Sequence, residues 1–186
     1  MFVGETFGWV ECILVWIERW KGLMSEMQDE PVLEKSLVKG MLAGLIGGLA
    51  ATAAKTIAEK FYPPRTHGEP EPPAVLAEKI SDRVGHRLSA TEKAVAVETI
   101  HWGFGALTGV AYGALAEYFP AATAKDGASF GLVLATLTHE TALPAMGLSA
   151  EPEEQTVRER TSEMATHVVY GLMTETVRRF VRKRLG

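Results

Sequence analysis

Residues 99–116 read TIHWGFGALTGVAYGALA, and this stretch decides the fold because it carries no Asp, Glu, Lys or Arg. A helix needs about 20 predominantly apolar residues to cross the hydrocarbon core of a bilayer. Gly105, Gly109 and Gly113 repeat every four residues and therefore share one helix face. Small residues at this spacing let two helix backbones approach closely inside a membrane. The stretch predicts a spanning helix with a glycine packing face.

Two capping-box patterns mark where helices begin. Ser89-Ala-Thr-Glu92 precedes the apolar stretch and predicts the start of its helix, and Pro120 predicts the end just after Glu117. Thr156-Val-Arg-Glu159 is a second such pattern and predicts the start of the last helix of the chain.

Two further apolar segments and one short amphipathic segment complete the pattern. Residues 36–58 form an Ala/Gly-rich helix, residues 127–148 a third apolar segment, and residues 74–87 a short surface helix. The second apolar segment, around residues 99–116, and the third, residues 127–148, are better span candidates than the first, residues 36–58. The first segment is rich in Ala and Gly, which supply little transfer free energy. The first segment carries its own packing face at Gly40, Gly44 and Gly48.

The predicted fold is therefore all-α: a polytopic membrane helical bundle of about four spanning helices in residues 36–186. Residues 24–35 read as an acidic linker, and residues 1–23 as an amphipathic N-terminal helix at the membrane interface. Two alternatives remain for residues 1–23: the helix packs on protein, or the chain truly starts at a later methionine. The interfacial interpretation depends on three tryptophans, because Trp is enriched at membrane–water interfaces; they are Trp9, Trp16 and Trp20.

Composition excludes several classes of protein. The net charge is −4, so no overall basic field favours nucleic acid. A single cysteine, Cys12, excludes an intramolecular disulfide framework and a Cys-based zinc finger. The mean hydropathy is near zero because apolar helices and densely charged connectors offset each other. A soluble Ala/Gly-rich bundle remains an alternative.

The C-terminus carries a cluster of positive charge. Basic residues favour the cytoplasmic side, so the cluster predicts a cytoplasmic C-terminus and, with four spans, a cytoplasmic N-terminus. It is interpreted as an anchor at anionic lipid headgroups. Its members are Arg178, Arg179, Arg182, Lys183 and Arg184.

Titratable residues inside spanning helices are costly and are functional suspects by default. They belong to the second, third and fourth helices. Counting about 1.5 Å per residue from the helix ends places the three histidines of the set in the same leaflet. The set is Glu98, His101, His139, Glu140, Glu163, His167 and Glu175.

Three imidazoles with carboxylates in one layer could serve three purposes. They could bind zinc, iron, copper or haem, they could relay protons, or they could only hold helices together by hydrogen bonds. Enzyme motifs are incomplete: Leu143 occupies the second histidine position of the metalloprotease pattern that begins at His139-Glu140. A non-enzymatic protein is therefore favoured over an enzyme.

An ordered set of features resembles the YagU-like bacterial inner-membrane proteins, a family of unknown biochemical function. The likeness covers residues 38–182 and includes Pro63-Pro64-Arg65, Ala116-Glu117-Tyr-Phe119-Pro120 and Pro144-x-Met146-Gly147-Leu148. The resemblance implies an integral protein of the bacterial inner membrane. It includes five polar positions and not Glu98 or Glu140; these five are His101, His139, Glu163, His167 and Glu175.

Two functional hypotheses follow. In the first, an inner-membrane protein holds an intramembrane His/Glu cluster that binds a metal ion or passes protons. In the second, the chain is a structural or assembly protein, as a homo-oligomer or in a larger membrane complex, and the cluster only joins helices. In both, the lipid bilayer is the main partner.

Overall fold

The computed structural model describes residues 34–65 and 70–186. The interfacial helix predicted for residues 1–23, with Trp9, Trp16 and Trp20, lies outside the described residues, as does most of the predicted acidic linker. Residues 35–186 form one compact unit.

Every regular element in the described part of the chain is helical, which confirms the all-α class there. Three long α-helices and one composite helix make up most of the unit, and a short helix lies between the first two long ones. The elements are α1 (Leu37–Phe61), α2 (Pro72–Val84), α3 (Ala90–Tyr118), a 3-10 helical connector (Pro120–Gly127), α4 (Ala128–Leu137), a π-helix (Thr138–Ala142), α5 (Leu143–Ala145) and α6 (Val157–Leu185). The segment from α4 through the π-helix to α5 is called the composite helix below.

Both predicted capping boxes are confirmed. The Ser89 side chain accepts a hydrogen bond from the Glu92 backbone N–H, and the Glu92 carboxylate accepts from the Ser89 backbone N–H at 2.8 Å. The Ser89 hydroxyl also donates to that carboxylate, and together these bonds lower the pKa of Glu92 to about 2. Thr156 and Glu159 make the same reciprocal pair at the start of α6. Side-chain caps satisfy N–H groups that a helix start leaves without partners.

Helix α1 lies at the centre of the bundle and packs against α3 on one side and α6 on another, and α6 also packs against α4. All three of these neighbouring pairs are antiparallel. The short helix α2 packs on α3, near the end of the bundle where α1 finishes and α6 begins.

Glycines allow the backbones of α1 and α3 to touch. A Cβ atom added at Gly109 would lie 2.7 Å from the Cα of Gly48, closer than real Cβ atoms approach other atoms. The predicted glycine faces of the two helices therefore meet each other. The α4–α6 contact uses glycine too, since a Cβ at Gly171 would lie 2.8 Å from the backbone N of Gly131, a contact that the sequence analysis did not identify.

Among the described helices, only α1 is long and apolar enough to cross a membrane by length and composition. The expectation that the second and third apolar segments are better span candidates than the first was therefore wrong. In α3, polar groups such as His101 and Tyr112 interrupt the apolar run. In the third segment, the π-helix limits the regular α-helix to 10 residues.

The distribution of side chains is inverted relative to a water-soluble bundle. Within the described residues, most of the buried residues are small or polar, such as Thr174, Glu175 and Arg178, with few large apolar ones, such as Leu134 and Leu148. Large apolar side chains lie on the outside of the long helices; Leu107 is 69% exposed and Leu137 is 59% exposed. Soluble monomers rarely expose large contiguous apolar patches.

Candidate functional site

Three of the predicted titratable residues meet at the end of the bundle where α6 begins. His139, Glu163 and His167 each present one candidate ligand atom, and these atoms all lie within 4.8 Å of one another. Nε2 of His139 lies 3.3 Å from Oε2 of Glu163, and Nδ1 of His167 lies 3.7 Å from the same oxygen. This group is called the His–Glu–His group below.

Two local features of the chain position the group. Glu163 and His167 are four residues apart on α6, so they lie on the same face of the helix. His139 belongs to the π-helix, which adds a residue to the turn and changes the direction in which the following side chains point. Single π-helical turns within α-helices are frequent at functional sites.

A hydrogen bond fixes the tautomer of His167. Its Nδ1 lies 2.8 Å from the backbone carbonyl oxygen of Glu163. A carbonyl oxygen only accepts hydrogen bonds, so Nδ1 carries the proton that it donates. In a neutral imidazole, this leaves Nε2 with a lone pair that can bind a metal ion.

The carboxylate of Glu163 is buried and incompletely bonded. Its Oε2 atom has no hydrogen-bond partner, although the residue is only 6% exposed. Lys55 Nζ lies 3.6 Å from Oε2, and an Arg65 nitrogen lies 3.7 Å from Oε1. Both distances exceed those of normal hydrogen bonds, so these cations offer charge compensation rather than a close bond. A buried carboxylate oxygen without a partner is costly and calls for an explanation.

His101, the third predicted histidine, lies apart from the His–Glu–His group but faces the same space. Its Nε2 lies 3.2 Å from the hydroxyl of Thr56 on α1. His101, His139 and His167 all line one cavity of about 600 Å³, together with Glu163.

The other three predicted carboxylates lie elsewhere and have their own partners. Glu98 accepts a hydrogen bond from the indole of Trp102 at 2.9 Å on the outside of α3. Glu140 pairs with Arg160 through two hydrogen bonds. Glu175 follows Glu163 by twelve positions on α6, about 18 Å along the helix.

Glu175 is the centre of a second polar network at the other end of the bundle. Arg178 donates to both of its carboxylate oxygens, at 2.7 and 2.8 Å, and the Tyr112 hydroxyl donates at 2.8 Å. Arg179 bridges Glu175 to Asp126 in the connector before α4. The carboxylate of Glu175 therefore has several donors, which is the opposite of the situation at Glu163.

Two residues of the predicted basic anchor point inward. Arg178 is buried against Glu175, and Arg182 is buried against Glu117 of α3, with a shortest contact of 2.6 Å. Among the five residues of that cluster, Arg179, Lys183 and Arg184 are exposed at the surface.

Sequence reasoning did not assign Arg65, Thr56 or Tyr170 to the site. Tyr170 lines the cavity and donates a hydrogen bond to the backbone carbonyl oxygen of Gly105 at 2.9 Å. The position of Tyr170 could have been predicted from the sequence, because Tyr170 follows His167 by three residues and therefore lies on the same helix face. Arg65 follows a Pro-Pro pair after α1, and its contact with α6 has no counterpart in the local sequence pattern.

The arrangement has the ligand types of a transition-metal site. Two imidazoles and one carboxylate form the protein part of several catalytic zinc sites, in which a fourth position stays open. The donation from His167 to a backbone carbonyl is the kind of outer contact that orients a metal-bound histidine. The same three groups could instead exchange a proton through the carboxylate.

Comparison with known proteins identifies a family but no activity. A family model described as a protein of unknown function (DUF1440) matches residues 49–176, which include all three members of the His–Glu–His group. No curated protein and no solved structure matches the chain. Since the match covers more than half of the sequence, the chain belongs to this family of proteins of unknown function.

Proposed function

We propose that this chain is an integral membrane protein whose His–Glu–His group binds one divalent transition-metal ion, such as zinc. The observation that carries the proposal is the buried Glu163 Oε2, which has no hydrogen-bond partner and lies beside two imidazoles, with one candidate ligand atom from each of the three residues within 4.8 Å of the others. A bound cation would satisfy this oxygen and would remove the cost of leaving it unpaired.

The inverted surface supports the membrane location. Large apolar side chains face outward along the long helices, and α1 has the length and composition of a span. The glycine contacts between α1 and α3 are the packing mode that membrane helices favour. The resemblance to the YagU-like inner-membrane proteins supports the same location.

A structural role is the second candidate, and the ion pairs favour it. Lys55 and Arg65 both lie near Glu163 and supply positive charge without a metal ion. In the network around Glu175, Tyr112 and Arg178 donate to the carboxylate, so hydrogen bonds between polar side chains join α3 to α6 there. On this reading, the His–Glu–His group would be a second such junction.

The deciding experiment measures metal content in detergent-purified, full-length protein. We expect about one zinc ion per chain after loading with excess zinc and removal of unbound metal. His167→Ala and Glu163→Gln should lose this ion, because each removes one of three ligands. His101→Ala is the matched control, since it removes a histidine that lines the same cavity but pairs with Thr56.

Each result decides between the two candidates. Retention of stoichiometric zinc by the His101→Ala protein and its loss from the other two would support the metal site. Wild-type protein that binds no metal, with all three variants losing thermal stability, would favour the structural junction instead.

A further inference from the structure

The cavity beside the His–Glu–His group is large enough for a small molecule. Its volume is about 600 Å³, within the range of about 300–1,000 Å³ that is common for ligand pockets. Both imidazoles and the carboxylate of the group line it, so a metal ion bound there would face the cavity.

The walls of the cavity have two kinds of surface. Helix α3 and the composite helix contribute apolar side chains, among them Ile100, Phe104, Leu134 and Leu143. Helix α1 and the segment after it contribute charged side chains: Lys55, Glu59, Lys60 and Arg65. One side therefore suits a hydrocarbon chain and the other suits a polar head group.

The charge of the metal-loaded cavity would favour an anion. Three cationic side chains line it, and three carboxylates balance them, when Glu71 and Glu163 are counted with Glu59. A divalent ion would add a positive excess that no lining residue neutralises. Glu163 would then be a ligand of the metal ion. The Arg65 guanidinium, which lies 3.7 Å from Glu163, would be able to pair with an incoming anion.

The coordination of the metal points to the same kind of ligand. Three protein ligands leave a tetrahedral ion one open position, which a water molecule or an oxygen of another molecule fills. An anionic oxygen is a stronger partner than water for a cation whose protein ligands are buried, as Glu163 and His167 are.

We propose that the cavity binds a single-chain amphiphile with an anionic head group, carboxylate or phosphate, whose oxygen occupies the open position of the metal ion. The chain lies against Ile100 and Phe104, and Arg65 pairs with the head group. This proposal rests on the metal site proposed above and names the class of ligand for it.

The test uses the full-length protein in a non-ionic detergent, loaded with Co(II), whose visible absorption reports its ligands. Titrations with decanoate and with decyl phosphate distinguish the two head groups. Decan-1-ol supplies the chain without the charge, and acetate supplies the charge without the chain. We expect a saturable change of the Co(II) spectrum with decanoate or decyl phosphate, no change with decan-1-ol, and at least tenfold weaker binding of acetate.

Two variants locate the ligand. Ile100→Trp fills part of the cavity and should abolish the response to the amphiphile while the Co(II) spectrum itself persists. Arg65→Gln should weaken amphiphile binding about tenfold. Arg184→Gln, a surface residue beside Phe180 at the other end of the bundle, is the matched control and should bind like wild type.

The outcomes separate this inference from the proposed function. A protein that gives no Co(II) spectrum lacks the metal site, and both proposals fail. A normal Co(II) spectrum that neither decanoate nor decyl phosphate alters would overturn the amphiphile site and leave the metal site standing. An equal response to decan-1-ol would overturn the anionic head group.

Discussion

At the residue scale, Glu163 is the point where a metal ion and two cationic side chains compete. Lys55 lies 3.6 Å from Oε2 of Glu163, the oxygen nearest to both histidines, and it also pairs with Glu59. Like charges at short range repel strongly where solvent screening is weak. The ammonium group of Lys55 therefore opposes the metal ion that Glu163 would bind.

Lys55→Gln should tighten metal binding about tenfold, equivalent to about 1.4 kcal/mol, because it removes a positive charge beside the site. Competition titration of the purified protein against a zinc chelator measures the change. Lys60→Gln is the control, since Lys60 also lines the cavity from α1 but has greater exposure to solvent. Unchanged zinc affinity together with a lower unfolding temperature would instead indicate that Lys55 only supports a structural junction.

A second prediction at this scale concerns the buried pair of Arg182 and Glu117. Arg182→Met removes the ion pair with Glu117 and leaves this carboxylate buried. The backbone N–H of Ser36 would still donate a hydrogen bond to it. Removal of one member of a buried ion pair costs about 3–5 kcal/mol. We expect the lower end of this range, since the pair lies near the end of the bundle, and a clear fall in unfolding temperature.

The double variant Arg182→Met, Glu117→Leu should regain much of that loss, because replacing a whole buried pair with apolar residues is often close to neutral. Arg184→Gln should be nearly neutral at the surface. If Arg182→Met unfolds at the wild-type temperature, the pair contributes little and the two helices must be held by their other contacts.

At the scale of elements, the close approach of α1 and α3 depends on the absence of side chains at their contact. Gly109 of α3 lies against Gly44 and Gly48 of α1, and the atoms that a Cβ would meet there are backbone atoms. Backbone cannot move aside as the end of a side chain can, so the two helices would have to separate.

Gly109→Ala should therefore destabilise the bundle by about 1–3 kcal/mol, the usual cost of overpacking. Gly103→Ala provides the matched control on the same helix, since a Cβ there would meet nothing within 4 Å. It should be neutral or stabilising by up to about 1 kcal/mol, because alanine is the better helix former. Thermal unfolding of both variants in one detergent makes the comparison, and equal effects would contradict the proposed contact.

The composite helix shows why an element can be predicted more easily than its side-chain directions. An apolar segment at residues 127–148 predicts a helix, and the structure places one at 128–145. The π-helix within it alters the phase of the helix at His139. A constant step of 100° per residue cannot describe such a turn, so a helical projection does not settle where His139 points.

At the scale of the whole molecule, the outward apolar surface predicts how the protein behaves in a cell. Membrane fractions washed with alkaline carbonate should retain the full-length chain, because the apolar surface of the bundle would be exposed to water on release. Release into the supernatant would support the soluble Ala/Gly-rich bundle and contradict the membrane proposal. A peripheral membrane protein that carbonate does release serves as the control.

Topology is a separate prediction. The four spans expected from the sequence, together with the basic C-terminal helix, predict that both termini lie in the cytoplasm. A fluorescent protein that folds only in the cytoplasm should give signal when fused to either end, and a periplasm-dependent phosphatase fusion should be inactive. An active phosphatase at the C-terminus would reverse the orientation.

The sequence by itself determined the helices and the short set of residues worth testing. Capping boxes at Ser89 and Thr156 act within one turn, so they specify where α3 and α6 begin without help from the rest of the fold. The four-residue spacing of glycines predicted the packing faces of α1 and α3, because residues four apart lie on the same face of a helix. Rare titratable residues in apolar segments are visible in any sequence, and they included every member of the His–Glu–His group.

Only the tertiary structure decided which of those residues meet. Glu163 joins His139 and His167, whereas Glu98, Glu140 and Glu175 find partners elsewhere. Which residues meet depends on the rotation of each helix about its axis relative to its neighbours. The glycine contacts and the π-helix together determine this rotation. Cations brought from α1 and the segment after it then decide the charge around Glu163. Such contacts join residues about 100 positions apart, and no local pattern of sequence specifies them.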